Sequence, residues 1–324
     1  MCRLIIGIIV ATLLFCWLPV FAKFSPEITV SVGNEIIDGF TQYELQFVVL
    51  SDGYYQAYGN SRLKYPFHNT FAGGVVEIRY QGFALNFGIW GDYKATKDET
   101  MEDFDWISST EDDYIQLAYG VTTPTTVMSY YEANLRYDFK FSKFQLGPFI
   151  KYSKYHSEFV MNDLDQIWYI DLETGEELDP PSEFSVPGNV LYYEQDLKLP
   201  IIGMNFEVNS LFDRLDLFTS VGISPFTSVE DYDDHVIRQD SLESWNSGEG
   251  GNGLLFELGA KVNLFSSAWL TASYAYTDYS IECEFRQHYF DEEIDNWRTV
   301  ISDGTQVRGV MRKIKASISY VFDL

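Results

Sequence analysis

Apolar and polar residues alternate with period two over long stretches of the chain. From Tyr131 the positions Tyr131, Ala133, Leu135, Tyr137, Phe139 and Phe141 alternate with Glu132, Asn134, Arg136, Asp138 and Lys140. Phe256, Leu258, Ala260, Val262 and Leu264 stand opposite Glu257, Lys261 and Asn263, and Ile314, Ala316, Ile318, Tyr320 and Phe322 opposite Lys313, Lys315, Ser317 and Ser319. Side chains two apart share one face of a strand, so each segment predicts a strand with one apolar and one polar face. A soluble sandwich gives the same alternation. The segments are long, however, and the connections differ in kind. Brief turns are expected near 81–82, 142–143, 210–214 and 266–267, and long polar or acidic loops near 52–71, 96–127, 161–189, 230–251 and 284–306. Short and long connections alternate, which is the outer-membrane pattern of short inner turns and long outer loops. The reading is an all-β chain forming a ten-stranded antiparallel transmembrane β-barrel, with both termini on the short-turn side. The last strand ends in the aromatic run Tyr320-Val321-Phe322, followed by an atypical Asp323-Leu324.

The N-terminus adds an address. Arg3, the apolar run Leu4 to Leu18 and then Val20-Phe21-Ala22 describe a secretory signal peptide over 1–22, cut after Ala22. The run is short for a spanning helix, which needs about 20 apolar residues. Residues 23–324 then form one barrel domain. Cys2 and Cys16 leave with the signal, so Cys283 is the one remaining cysteine and the mature chain holds no internal disulfide. The formal net charge of -26 argues against a nucleic-acid partner, which requires a basic face, and favours cationic partners.

Two acidic motifs fall at the long-loop ends of strands. Met101-Glu102-Asp103-Phe104-Asp105-Trp106 sits where the third strand rises into the second long connection, and Asp231-Tyr232-Asp233-Asp234-His235 where the seventh rises into the fourth. If the strands extend that far, Asp103 and Asp105 share a face, as do Asp231, Asp233 and His235. Two carboxylates facing a carboxylate–imidazole pair can hold and activate a water. The imidazole takes its proton and the adjacent carboxylate orients the ring and raises its basicity. In so acidic a chain, Asp-x-Asp and Asp-x-His also arise as solvated surface.

The sequence resembles the omptins, outer-membrane proteases with a ten-stranded barrel and an active site in a groove at the extracellular top. The family pattern Met-x-Asp-x-Asp-Trp matches Met101, Asp103, Asp105 and Trp106, and Asp-x-Asp-x-His matches Asp231, Asp233 and His235. The stretch from Tyr193 to Gly203 looks like a third family strand. The resemblance implies an Asp233–His235 dyad, a water held by Asp103 and His235 and supported by Asp105, and Asp231 in a pocket for a basic side chain. No cofactor or metal is required. The substrates it implies are cationic peptides or proteins.

Departures accompany the resemblance. The second acid of that pocket aligns with Tyr43, with Glu44 one place away, and a one-residue slip turns a strand side chain to the other face. A wall position that is basic in the family, where it meets lipopolysaccharide phosphate, is Asp196 here, so dependence on lipopolysaccharide is not expected. His68, His156 and His288 read as ordinary rim residues, the acidic run 163–177 as solvated loop, and Trp90, Trp168 and Trp269 as interfacial aromatics. Cys283 reads as unreactive filler. The rival class is a barrel that keeps the fold without catalysis, such as an adhesin or structural protein. A porin fits less well, because ten strands leave little lumen once side chains fill it.

Overall fold

The computed structural model describes residues 25–51, 55–94, 99–108, 115–171, 174, 176–211, 214–236, 242–265, 267–291 and 296–323. The expected signal peptide, and Glu111, Asp112 and Asp113 of the second connection, lie outside the described residues.

The strands are β1 (Glu27–Ser51), β2 (Tyr55–Tyr80), β3 (Phe83–Lys94), β4 (Met101–Ser108), β5 (Ile115–Tyr137), β6 (Phe139–Lys140), β7 (Phe144–Ile170), β8 (Glu177–Leu211), β9 (Leu215–Asp234), β10 (Leu242–Phe265), β11 (Ala268–Asp291) and β12 (Asn296–Asp323). β3 and β4 both pair with β2 on one side and β5 on the other, so they are two segments of one stave. β6 continues β5 beside β7. The antiparallel ring therefore runs through 10 staves. It closes where β1 pairs with β12, from Glu27↔Asp323 to Glu44↔Gln306.

Glu27 stands opposite both Asp323 and Arg79, beside the two-residue turn Gln81-Gly82, so both described ends lie on the short-turn side. Gln81 and Gly82 have φ of 50 and 89 degrees, the doubly positive geometry that matches the twist of a hairpin.

The opposite end differs from expectation. The described parts of 52–71, 96–127, 161–189, 230–251 and 284–306 are mostly strand, not long loops. β1 and β2 stay paired up to Ser51↔Tyr55, and β7 and β8 up to Ile170↔Glu177. Polar residues end the apolar band but not the hydrogen-bond ladder, because backbone pairing continues wherever a partner strand follows alongside. β9 has 20 residues and β8 has 35, against the roughly 9–11 that cross a bilayer. The staves project well beyond the apolar band.

On β12 and β1 the side-chain parity is constant while its chemistry inverts; on β9 and β10 irregular pairing around Thr227 and Gly251 shifts the inward set by one residue. On β12, Ile314, Ile318, Tyr320 and Phe322 point outward and exposed, while Lys313, Ser317 and Ser319 point inward and are buried. Farther from the short turns the outward residues become Arg312 and Arg308, and the inward ones Met311, Val307 and Thr305. β1 repeats this, with Val30, Val32 and Ile36 outside, then Asp38, and Glu35 inside, then Ile37 and Tyr43. An apolar outer band around a polar interior suits lipid outside.

Within the band the lumen holds a cavity of about 590 Å³ lined by charged side chains. Its ion pairs include Lys151–Glu132 at 2.6 Å, Lys261–Glu207 at 3.1 Å and Arg136–Glu77 at 3.5 Å. Above it the lumen is filled by an apolar plug that includes Tyr65, Phe71, Trp90, Phe159, Met161 and Tyr193. Trp90 is thus buried inside, against Gly73, where a Cβ would come to 2.7 Å from the indole. Trp269 lines the cavity. Neither is an outer belt residue, because parity turns both side chains inward. The outward aromatics near the short turns are residues such as Phe83, Phe139, Phe144 and Phe322.

Candidate functional site

The site sits on the plug, at the projecting end of the barrel. On β9, alternation turns Asp231 and Asp233 inward, where they are 6% and 1% exposed. β8 lies on one side, with Gln195↔Asp231 and Tyr193↔Asp233, and β10 on the other, with Asn246↔Asp231. Three donors hold Asp231. The backbone N–H and the side-chain amide of Asn246 donate to Oδ1 at 2.9 and 2.8 Å, and the Tyr193 hydroxyl donates to Oδ2 at 3.0 Å. Gln195 Nε2 in turn donates to the Tyr193 hydroxyl at 2.8 Å and to Thr41 Oγ1 at 3.0 Å. Burial, with the neighbouring Asp233 charge adding to it, outweighs these donors and pushes the Asp231 carboxyl up to about 7. Asp231 is therefore a buried, satisfied acid rather than one that faces solvent in an open cleft.

Asp233 is held from across the lumen. The Tyr43 hydroxyl, on β1, donates to Asp233 Oδ2 at 2.8 Å. His235 Nε2 lies 3.6 Å from that same oxygen, beyond an ordinary hydrogen bond. His235 follows the last residue of β9 and is about one-quarter exposed, so its ring reaches solvent while Asp233 does not.

Asp103 and Asp105 lie on β4, with the inward parity of the buried Met101. Asp103 stands opposite Leu63 of β2 and Gly120 of β5. A Cβ on Gly120 would meet Asp103 at 3.6 Å, an ordinary packing distance, so Asp103 lies directly against this backbone. Tyr65 joins the two motifs. Its ring stacks on Tyr193 with centroids 4.1 Å apart. Burial raises its phenol well above the usual range, and the charges of Asp233, Asp103 and Asp231 raise it further. Carboxylates from both motifs thus act on one buried phenol.

Glu44 does not join Asp231. Parity puts Tyr43 inside and Glu44 outside, where it pairs with Arg308 at 3.4 Å and lines a surface hollow with Asn60, Arg62 and Trp106. Asp196 also faces outward, 2.5 Å from Lys154 and 2.9 Å from His156 Nδ1. His156 further contacts Glu158 at 3.1 Å, so it has acidic partners where the sequence reading found none. Cys283 is buried, and burial pushes its thiol up to about 12, which keeps it protonated and unreactive. Sequence reading gave no role to Tyr43 as a donor, or to Asn246. Parity from Ile37 through Thr41 was the signal available for Tyr43.

No family model and no curated protein matches this chain. Among solved structures, the fold is similar to the outer membrane protease OmpT from Escherichia coli. The TM-score is 0.75 at 15% identity, covering 91% of this chain and 97% of that one. The translocator domain of the autotransporter NalP from Neisseria meningitidis aligns at a TM-score of 0.35 and 11% identity, covering 97% of this chain and 95% of that one. Outer membrane protein OprG from Pseudomonas aeruginosa aligns at 0.29 and 10%, covering 93% and 97%. The first likeness establishes the ten-stave barrel; at such identity it speaks for fold alone.

Proposed function

We propose that this protein is an omptin-like aspartyl endopeptidase of the bacterial outer membrane, exported by a signal peptide over 1–22 and presenting its acidic groove to the cell exterior. The carrying observation is Asp233, buried at the projecting end with the partly exposed imidazole of His235 3.6 Å from its carboxylate. Asp103 and Asp105 have the same inward parity on another wall at that end.

In this reading a water between Asp103 and His235 attacks the peptide carbonyl carbon. Its proton passes to the His235 imidazole, whose orientation Asp233 fixes, and then to the departing amine. Asp105 supports the water and the developing tetrahedral centre. Asp231 biases the site toward cationic chains once it is ionised. The substrates are cationic peptides or proteins, and lipopolysaccharide is not needed, since the wall position that would meet its phosphate is Asp196, which also engages the neighbouring Lys154. Cleavage of a quenched cationic peptide by folded wild type, and its loss in folded His235→Ala, tests the reading.

Two observations favour a non-catalytic barrel, an adhesin or structural protein. The Asp233–His235 contact is longer than a hydrogen bond, and Glu44 faces away from Asp231. Under that reading wild type never cleaves, in lipid or in detergent.

A further inference from the structure

Tyr43 is the side chain that reaches the dyad from the far wall. It stands on β1, between Leu63 of β2 and Val307 of β12, and is 4% exposed. Its ring lies 6.0 Å from Tyr65 and 6.1 Å from Tyr193, so the plug fixes its direction. Its hydroxyl donates to the Asp233 oxygen that faces His235. Burial and the Asp233 charge raise the phenol well above its usual range, so it remains a donor at any working pH. The other carboxylate oxygen, Asp233 Oδ1, is buried without a hydrogen-bond partner among the described residues. The Tyr43 bond is therefore the side-chain contact that sets the rotation of this carboxylate.

We infer that Tyr43 is a positioning residue for the proposed peptidase, clamping Asp233 across the lumen so that Oδ2 is aimed at the His235 ring. This rests on the hydrolytic reading of the site. Without the clamp the carboxylate can turn Oδ2 away, and the imidazole loses its orientation in the step where it accepts the water's proton. With its hydroxyl committed to Asp233 and its ring buried in the plug, loss of the clamp should act on turnover more than on binding.

The test is Tyr43→Phe, which keeps the ring in the plug and removes only the hydroxyl. Losing a hydrogen bond to a charged partner is expected to lower kcat about 10- to 100-fold with KM changed by less than about twofold. In an Asp233→Asn background the same change should have no further effect, because Tyr43 acts through Asp233. An unchanged kcat, or a defect that persists in the Asp233→Asn background, overturns the assignment and leaves the peptidase reading standing. A spectroscopic arm needs no cleavage. In protein labelled with ¹⁵N histidine, the His235 ring signals, identified by their loss in His235→Ala, should move in Tyr43→Phe and not in Asp233→Asn/Tyr43→Phe relative to Asp233→Asn. Unmoved signals in Tyr43→Phe overturn the clamp. A wild type that never cleaves removes the peptidase reading, and with it the role in turnover, whatever the signals do.

Discussion

Replacing Asp231 with Asn removes a charge from the wall of the site and should change how stability depends on pH. The Asp231 carboxyl is raised from 3.8 to about 7 by burial. Ionisation is thus disfavoured in the folded barrel relative to the unfolded chain. The associated stability is fully present below the unfolded carboxyl pKa and is lost as pH rises toward 7. A shift of roughly three units corresponds to about 4 kcal/mol at full development. More than half of it, about 2–3 kcal/mol, should be lost between about pH 5 and pH 8. Asn cannot ionise, so its barrel lacks this slope. Its amide oxygen can still accept from Asn246, and the Tyr193 hydroxyl must rotate to accept from the new NH₂, a constant cost at every pH. The slope, not the absolute stability, is therefore the readout. Urea unfolding in lipid vesicles, followed by tryptophan fluorescence, should show Asp231→Asn gaining on wild type as pH rises. A stability difference that is flat from pH 5 to 8 would refute the assignment of this buried acid.

Three other outcomes follow from the same geometry. Preference for cationic over neutral peptides should strengthen as pH rises through about 7, where Asp231 ionises, and Asp231→Asn should weaken that preference; competition between paired peptides reads this, and a preference for acidic or apolar sites would show the pocket to be misassigned. Planar-bilayer recordings of wild type should show no stable conductance, because Tyr65, Phe159 and Tyr193, at 0%, 0% and 1% exposure, seal the lumen; a steady open channel would contradict the plug. Lys151→Met takes from Glu132 its 2.6 Å partner inside the band, leaving it the charges of Lys313 and Lys315, and should destabilise the barrel by about 1–3 kcal/mol; an unchanged urea midpoint would contradict the lumenal pair.

The stave count and the side on which the termini lie were legible because period-two alternation survives in any half-buried strand, and because turns such as Gln81-Gly82 interrupt it sharply. The length of the staves was not. Past the apolar band, β1 pairs as far as Ser51 and β7 as far as Ile170, and the polar composition there looks the same in a paired strand as in a loop. Trp90 and Trp269 were misplaced for a related reason. Composition suggests an interface, but parity decides between the inner and outer wall. At the site, Asp231, Asp233 and His235 are close in sequence, so their shared face could be read from spacing. The donors that define their chemistry could not. Tyr43 is 190 residues from Asp233, and Tyr193 is 38 from Asp231. The Tyr193 contact depends on the register of β8 against β9, and the Tyr43 contact on which walls meet across the lumen, which only closure of the barrel determines.

The central claim is that the groove hydrolyses peptide bonds, and its most direct test is a quenched dibasic peptide library read by mass spectrometry. Wild type refolded in detergent and in lipid is compared with His235→Ala of matched heat-modifiable gel mobility. Wild type should cleave cationic peptides in both media. In the folded variant the rate should drop about 100- to 10,000-fold. Equal cleavage by wild type and His235→Ala would show that the dyad is wrong, and no cleavage by wild type in either medium would show that the barrel is not a peptidase.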